Sequence, residues 1–276
     1  MRSAARFVVF GALGLALGLL MPAEANEGNQ RTDRTGGRQE VRAAERYTSA
    51  LDKATGGGAG GGGGGGCSHS IECALQSGDK VGNWWALKSD GTMLSGSAFT
   101  LAGQASPGVN PITLNGSTQF YVSAATPAAP TGDFSFVCSV NLADFSSDQV
   151  IIAKWKTSHL VFEAFINSTT GRPSLLVQDS LGNLGEADNT TALTAATWQA
   201  ISGTYVSSTG VLTIRTAGHN NTATNAGGGV LSDTTEHSVG AQETGTAPAH
   251  MQSRGCFFTE TALSTGRQDA IMAGVL

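Results

Sequence analysis

The sequence predicts an all-β fold in which two antiparallel sheets stack face to face, and three observations carry that prediction. Thr197 to Gly218, TWQAISGTYVSSTGVLTIRTAG, reads as one β-hairpin: a β-branched and aromatic run, the turn cluster SSTG, and a second run, VLTIR. Within VLTIR, Leu212 and Ile214 point one way and Val211, Thr213 and Arg215 the other, because side chains alternate across a pleated strand. A hairpin that is dry on one face needs a second sheet to cover it. Comparable short runs recur along the chain after Cys73. No convincing amphipathic helix interrupts them before a short C-terminal segment, Gly266 to Val275. Strands without intervening helices favour a sandwich over an α/β fold.

The chain begins with segments that precede this domain. Met1 to Ala25 carries Arg2 and Arg6, an apolar run from Phe7 to Met21, and a small-residue site at Ala23-Glu24-Ala25. That pattern is a secretory signal peptide, and the run is shorter than the roughly 20 residues a membrane span needs. The expected product is secreted, extracellular or at a cell surface, with no membrane span after cleavage. Residues 26–66 form a charged arm and a linker. Asn26 to Lys53 is dense in both signs of charge and poor in large apolar groups, so it cannot offset its chain entropy and is expected to be disordered. Ten of the eleven residues from Gly56 to Gly66 are glycine. This run lacks the Lys-Ser or Lys-Thr of a phosphate loop, which leaves the reading of a flexible linker. Residues 67–276 are the β domain.

Composition narrows the partners. Charged residues make up 13%, and the formal net charge is −5. An acidic surface repels phosphate backbones, so nucleic acid is excluded as the expected partner. Four cysteines in an exported chain favour disulfides over metal. Cys67 and Cys73 enclose a short segment, while Cys138 in FSFVCSV and Cys256 in GCFF sit on alternating strands. Four cysteines allow three pairings, and inward thiols at Cys138 and Cys256 that only fill the core are the alternative to a bridge.

Along the domain, NWWALKSDGTM is a first strand with Trp84 and Trp85 on opposite faces, one in the core and one outside. Trp85 is carried as a ligand-stacking candidate. PITLNGSTQFYVSA holds two short strands around an Asn115-Gly116 turn. GDFSFVCSVNL alternates cleanly, and VIIAKWK with HLVFEAFIN forms a hairpin that places Leu160, Phe162, Ala164 and Ile166 on one face. PSLLVQD, the hairpin at 197–218 and GCFFTETAL complete the set.

LNGSTQFYVSA, GDFSFVCSVNL, VIIAKW, TWQAISGTYVSSTGVLTIRTAG and CFFTETALS occur in an order that resembles the laminin G-like jelly roll of the concanavalin A-like lectin and glucanase superfamily. The resemblance covers roughly Val81 to the C-terminus. It implies a two-sheet antiparallel jelly-roll sandwich that often binds glycan. It also treats Trp198 and Tyr205 as structural, and so directs the search for a site to the Gly-rich loop from His219 to Gly229. Calcium is the cofactor such folds often use, and Asp144 and Asp148, with Asp133, are the candidate oxygen donors.

Catalytic patterns are missing. Glycan-cleaving members of the superfamily carry two glutamates flanking an aspartate on one strand. Here Glu186-Ala187-Asp188 is followed by Thr190 and Thr191, and the segment reads as a turn. There is no G-x-S-x-G elbow and no H-E-x-x-H. The expectation is a non-catalytic module that binds carbohydrate or a surface glycoconjugate through Trp85, Trp155, His159, His219 and Asn220. The alternatives are a structural or protein-interaction domain of a cell envelope or appendage, and a divergent glycan hydrolase.

Overall fold

The structure is a computed structural model that describes residues 69–94, 99–102, 110–123, 132–156, 159–225 and 236–276, with backbone only at 99–102, 156 and 159. The signal segment, the charged arm, the glycine run and Cys67 lie outside the described residues. Two antiparallel sheets form the expected sandwich. The first runs β1 (Trp84–Lys88), β14 (His250–Thr259), β5 (Phe134–Leu142), β10 (Trp198–Val206), β11 (Val211–Thr216) and β12 (His219–Thr224). β3 (Ile112–Asn115) pairs with the first half of β14, and β1 with its second half, so the two share one edge. The second sheet runs β2 (Phe99–Ala102), β4 (Phe120–Ser123), β13 (Ser238–Val239), β6 (Gln149–Lys156), β7 (His159–Ile166), β8 (Pro173–Gln178) and β9 (Leu184–Asp188).

The core follows from alternation. Leu212, Ile214, Phe134, Phe136, Cys138 and Val140 of the first sheet meet Phe162, Ala164, Ile166, Leu175 and Val177 of the second, all buried. At its centre Phe258 stacks on Trp85 at 5.9 Å and on Phe162 at 5.5 Å between ring centroids. Gly203 faces Phe136 across β5 and β10, and a Cβ there would lie 2.3 Å from that ring. Cys138 and Cys256 are directly opposite in register and form a disulfide, so they bridge rather than merely fill space. Cys73 is also disulfide-bonded, and the described residues include no free cysteine.

One local expectation is met with a different use, and two change. The Asn115-Gly116 turn is present, with Asn115 Oδ1 accepting from the N–H groups of Ser117, Thr118 and Gln119. It passes the chain from one sheet to the other instead of closing a hairpin. Glu186 to Asp188 lies in β9, not a turn, because alternation of Gly185 and Ala187 inward with the acids outward suits a strand. The segment from His219 to Thr224 is likewise strand β12. It is an exposed edge whose polar residues hide its strand character.

A feature the periodicity did not announce is a lid on the outer face of the first sheet. α1 (Ile71–Ala74) and α2 (Thr265–Val275) bring Ile71, Ile271, Met272 and Val275 onto Ala86, Val137, Ala200 and Phe257. The lid is pinned by polar contacts. Arg267 forks onto buried Asp79 at 2.6 and 2.5 Å, and Ser202 Oγ donates to Gln268 Oε1 at 2.7 Å. Gly255, with φ +112°, sits in the β14 bulge beneath it. A Cβ there would meet the Leu87 carbonyl oxygen at 2.5 Å and Ile71 Cγ2 at 2.4 Å. The lid covers the middle of the face and leaves polar strips on either side.

Candidate functional site

On one side of the lid, four strands present a single row. Register places Trp198 of β10 opposite Asn141 of β5, Asn141 opposite Gln252 of β14, and Gln252 opposite Thr113 of β3. All four project outward, because their strand neighbours Ile201, Val140, Met251 and Leu114 belong to the core. Three inter-strand steps give the row a length of about 14 Å, the scale of a short oligosaccharide. Neither amide, Asn141 nor Gln252, has a hydrogen-bond partner among the described residues. An amide carries both donor and acceptor, so two unengaged ones in line suit a ligand rich in hydroxyls.

Two adjoining hollows flank the row and share Gln252. One, of about 400 Å³, is walled by His69, Asn110, Pro111, Trp198 and Arg254. The other, of about 300 Å³, is walled by Thr113, Asn141, Ala196 and His250. Half-buried Trp198 carries the guanidinium of Arg254 on its ring at 4.1 Å, a cation–π contact. Arg254 Nη1 donates in turn to the carbonyl oxygens of Leu276 at 2.7 Å and Val275 at 3.4 Å, which anchors the pair to the end of α2. At the far end His250 Nδ1 lies 3.0 Å from Asp144 Oδ2. The Asp144 carboxyl is held down to about 2, first by the Ser146 hydroxyl, then by the Ser146 N–H and His250, so it stays ionised. No acid lines the larger hollow, and its charged group is Arg254.

The residues singled out from sequence fall elsewhere. Trp85 is 2% exposed and stacked in the inter-sheet core, so it presents no ring face to a ligand; Trp84 is the outward member of the pair, half-buried beside Phe257 with Lys80 over its ring. Trp155 is half-buried on β6 of the second sheet, while His219 and Asn220 are exposed on β12 of the first, so these candidates do not form one cluster. The His159 side chain lies outside the described part of the structure. Asp144, Asp148 and Asp133 each bind the N–H and hydroxyl of one serine, respectively Ser146, Ser168 and Ser207. Asp144 caps its own turn, Asp148 and Asp133 tie down serines distant in the chain, and no group of three metal-ligating residues occurs among the described residues. Glu186 and Asp188 project from the same face of β9, and Asp188 accepts from Ser174 Oγ at 2.5 Å.

Trp198 and Tyr205 share a strand but not a face. Seven residues apart on one strand, the two side chains must face opposite ways. Tyr205 is fully buried between the sheets and Trp198 stands on the outer face. The same count would have grouped Trp198 with Ala200, Ser202 and Thr204. The alignment of Asn141 and Gln252 beside it depends on strand order, which no local pattern encodes.

The described residues form a two-sheet antiparallel β-sandwich. No family model matches the sequence, and no curated protein matches it. Solved structures do resemble it. The receptor binding domain of botulinum neurotoxin C/D mosaic serotype superposes with a TM-score of 0.54 at 14% identity, over 69% of this chain and 50% of that one. The botulinum neurotoxin serotype D ligand binding domain in complex with N-acetylneuraminic acid gives 0.54 at 11%, over 69% and 50%. The binding domain of botulinum neurotoxin DC in complex with rat synaptotagmin II gives 0.54 at 12%, over 70% and 51%. This chain therefore spans about half the length of the solved chains it matches, and at these identities the likeness is one of fold.

Proposed function

We propose that this chain is a non-catalytic binding module of the laminin G-like, concanavalin A-like kind, exported from the cell, which recognises carbohydrate on the outer face of its first sheet. The observation that carries the reading is the row Trp198–Asn141–Gln252–Thr113, in which an aromatic ring is followed by two amides with no partner of their own. Aromatic rings and planar amides supply the apolar and polar halves of sugar recognition. Export is supported by the signal pattern and by a buried disulfide, which persists in oxidising compartments. Among the described residues no helix is long and apolar enough to cross a membrane. Calcium is not required by this row.

The test is a glycan array followed by calorimetry on the best binder, with and without a chelator, using wild type, Trp198→Ala and the pair Asn141→Ala with Gln252→Ala. The expected outcome is saturable binding that the Trp198 change weakens at least tenfold while thermal unfolding stays cooperative. An array without binders, or affinity indifferent to both variants, would sink the proposal. A second reading, a protein-interaction domain, is favoured by one feature: Leu181 and Leu184 at the β8–β9 turn are 74% and 59% exposed. If that reading holds, Leu184→Asp would abolish capture of an envelope protein and leave glycan binding absent in both forms.

A further inference from the structure

On the other side of the lid, the outer face of β10, β11 and β12 forms a third hollow of about 330 Å³ against the start of α2. Its floor is two register rows. Thr204, Thr213 and Thr222 lie in one, and Arg215 and Asn220 in the next. The three threonine hydroxyls have no hydrogen-bond partner among the described residues. The wall is Ser264 and Thr265. Ser264 caps the helix by accepting from Arg267 N–H at 3.3 Å, which leaves the N–H groups of Thr265 and Gly266 ahead of the first intrahelical bond.

Arg215 is the charged residue lining this hollow, and it is unusual. It is 7% exposed, and its Nη2 donates to Asp269 Oδ1 at 2.6 Å, yet its Nε has no acceptor. A buried donor without a partner is costly, and a guanidinium recognises planar oxyanions by offering two parallel N–H groups. Asp269 is half exposed and engages one nitrogen only, so the pair leaves the guanidinium short of its hydrogen-bonding capacity. Arg215, a row of unengaged hydroxyls and the positive end of an eleven-residue helix line one cavity.

We infer that this hollow is an oxyanion site, which takes the carboxylate or sulfate of an acidic saccharide with Arg215 as its anchor. The inference goes beyond the neutral-sugar contacts of the Trp198 row and does not share residues with it, so the two stand or fall separately. Negative charge enters a cavity whose own lining has no acid, in a protein whose surface is otherwise acidic. The threonine row orients the hydroxyls of the same ring, and the helix start supplies N–H donors to the second oxygen.

The experiment follows the Arg215 Nε–H cross-peak by heteronuclear NMR during titrations with glucuronate, glucose and inorganic sulfate. Glucuronate and glucose differ only in a carboxylate against a hydroxymethyl group. Glucuronate is expected to shift the Nε–H peak and the Thr265 and Gly266 amides saturably, and glucose is not. A response to sulfate as strong as that to glucuronate assigns the site to oxyanions at large, and a response to glucuronate alone assigns it to carboxylates. Thr213→Val, which keeps the strand and the Asp269 pair, should weaken the response about tenfold, and Arg215→Lys should abolish it. Trp198→Ala should leave it unchanged. Equal shifts with glucose and glucuronate, or a glucuronate response undiminished in Thr213→Val or in Arg215→Lys with the domain folded, would overturn the assignment.

Discussion

Protonation of His237 sets an acid limit on this fold that can be calculated in advance. Its ring is buried against Trp85, Phe162 and Phe258, at centroid distances of 5.6, 5.8 and 4.8 Å, and its Nδ1 has no hydrogen-bond partner. Burial pushes the imidazole well below its ordinary 6.5, and the positive charge of Lys154 pushes it the same way. The unfolded chain therefore accepts a proton at mildly acidic pH that the folded chain refuses. The stability this confers is fully present above pH 6.5 and is lost as pH falls below that value toward the folded pKa. Within that window the slope is about 1.4 kcal/mol per pH unit. The carboxyls of Asp90, Asp144 and Asp179 are held below 3.8, and the stability they add is lost only as pH falls through that value. They are nearly silent in the histidine window. Urea unfolding of wild type and His237→Phe at about pH 7.5, 6.5, 5.5 and 5 isolates the effect. The wild-type curve should slope downward toward acid and the variant should be flat. Parallel curves would refute the claim that a buried neutral imidazole limits acid stability.

Removal of the bridge with Cys138→Ala and Cys256→Ala should lower stability by about 4 to 5 kcal/mol, because it releases a loop with a sequence separation of 118 residues in the unfolded chain. The double variant is preferable to reductant, which would also open the bond at Cys73; a loss under about 1 kcal/mol on denaturant titration would show that the loop constraint is not what the bridge contributes. The two tryptophans should separate stability from function. Trp85→Ala excavates the core and should cost about 3 to 5 kcal/mol, whereas Trp198→Ala removes a half-buried ring and one cation–π contact and should cost no more than about 2 kcal/mol. Equal losses by calorimetry would place both rings in the core and remove the surface row.

What the sequence disclosed and what it concealed divide along one physical line. Period-two alternation is local, so the hairpin at 197–218, the inward Leu212 and Ile214 and the inward Cys138 could all be read directly from residue order. The sandwich itself follows from those dry faces. The candidate site does not. Trp198, Asn141, Gln252 and Thr113 come from four strands that are far apart in the chain and become neighbours only through the order β3-β14-β5-β10. The lid is concealed for a related reason. Residues of α2 that touch the sheet include Gln268 as well as Ile271, Met272 and Val275, so its covering face mixes polar and apolar groups and yields no helical stripe. Arg215 shows how the two levels join. Alternation correctly places it on the face opposite Leu212 and Ile214, where a solvated arginine would be ordinary. Only the arrival of α2 on that face buries it, pairs one nitrogen with Asp269 and strands another. Residues written as surface by their own strand and enclosed by a later element are therefore where ligand chemistry in this fold is most sensibly sought, and Arg215 and Trp198 are both of that kind.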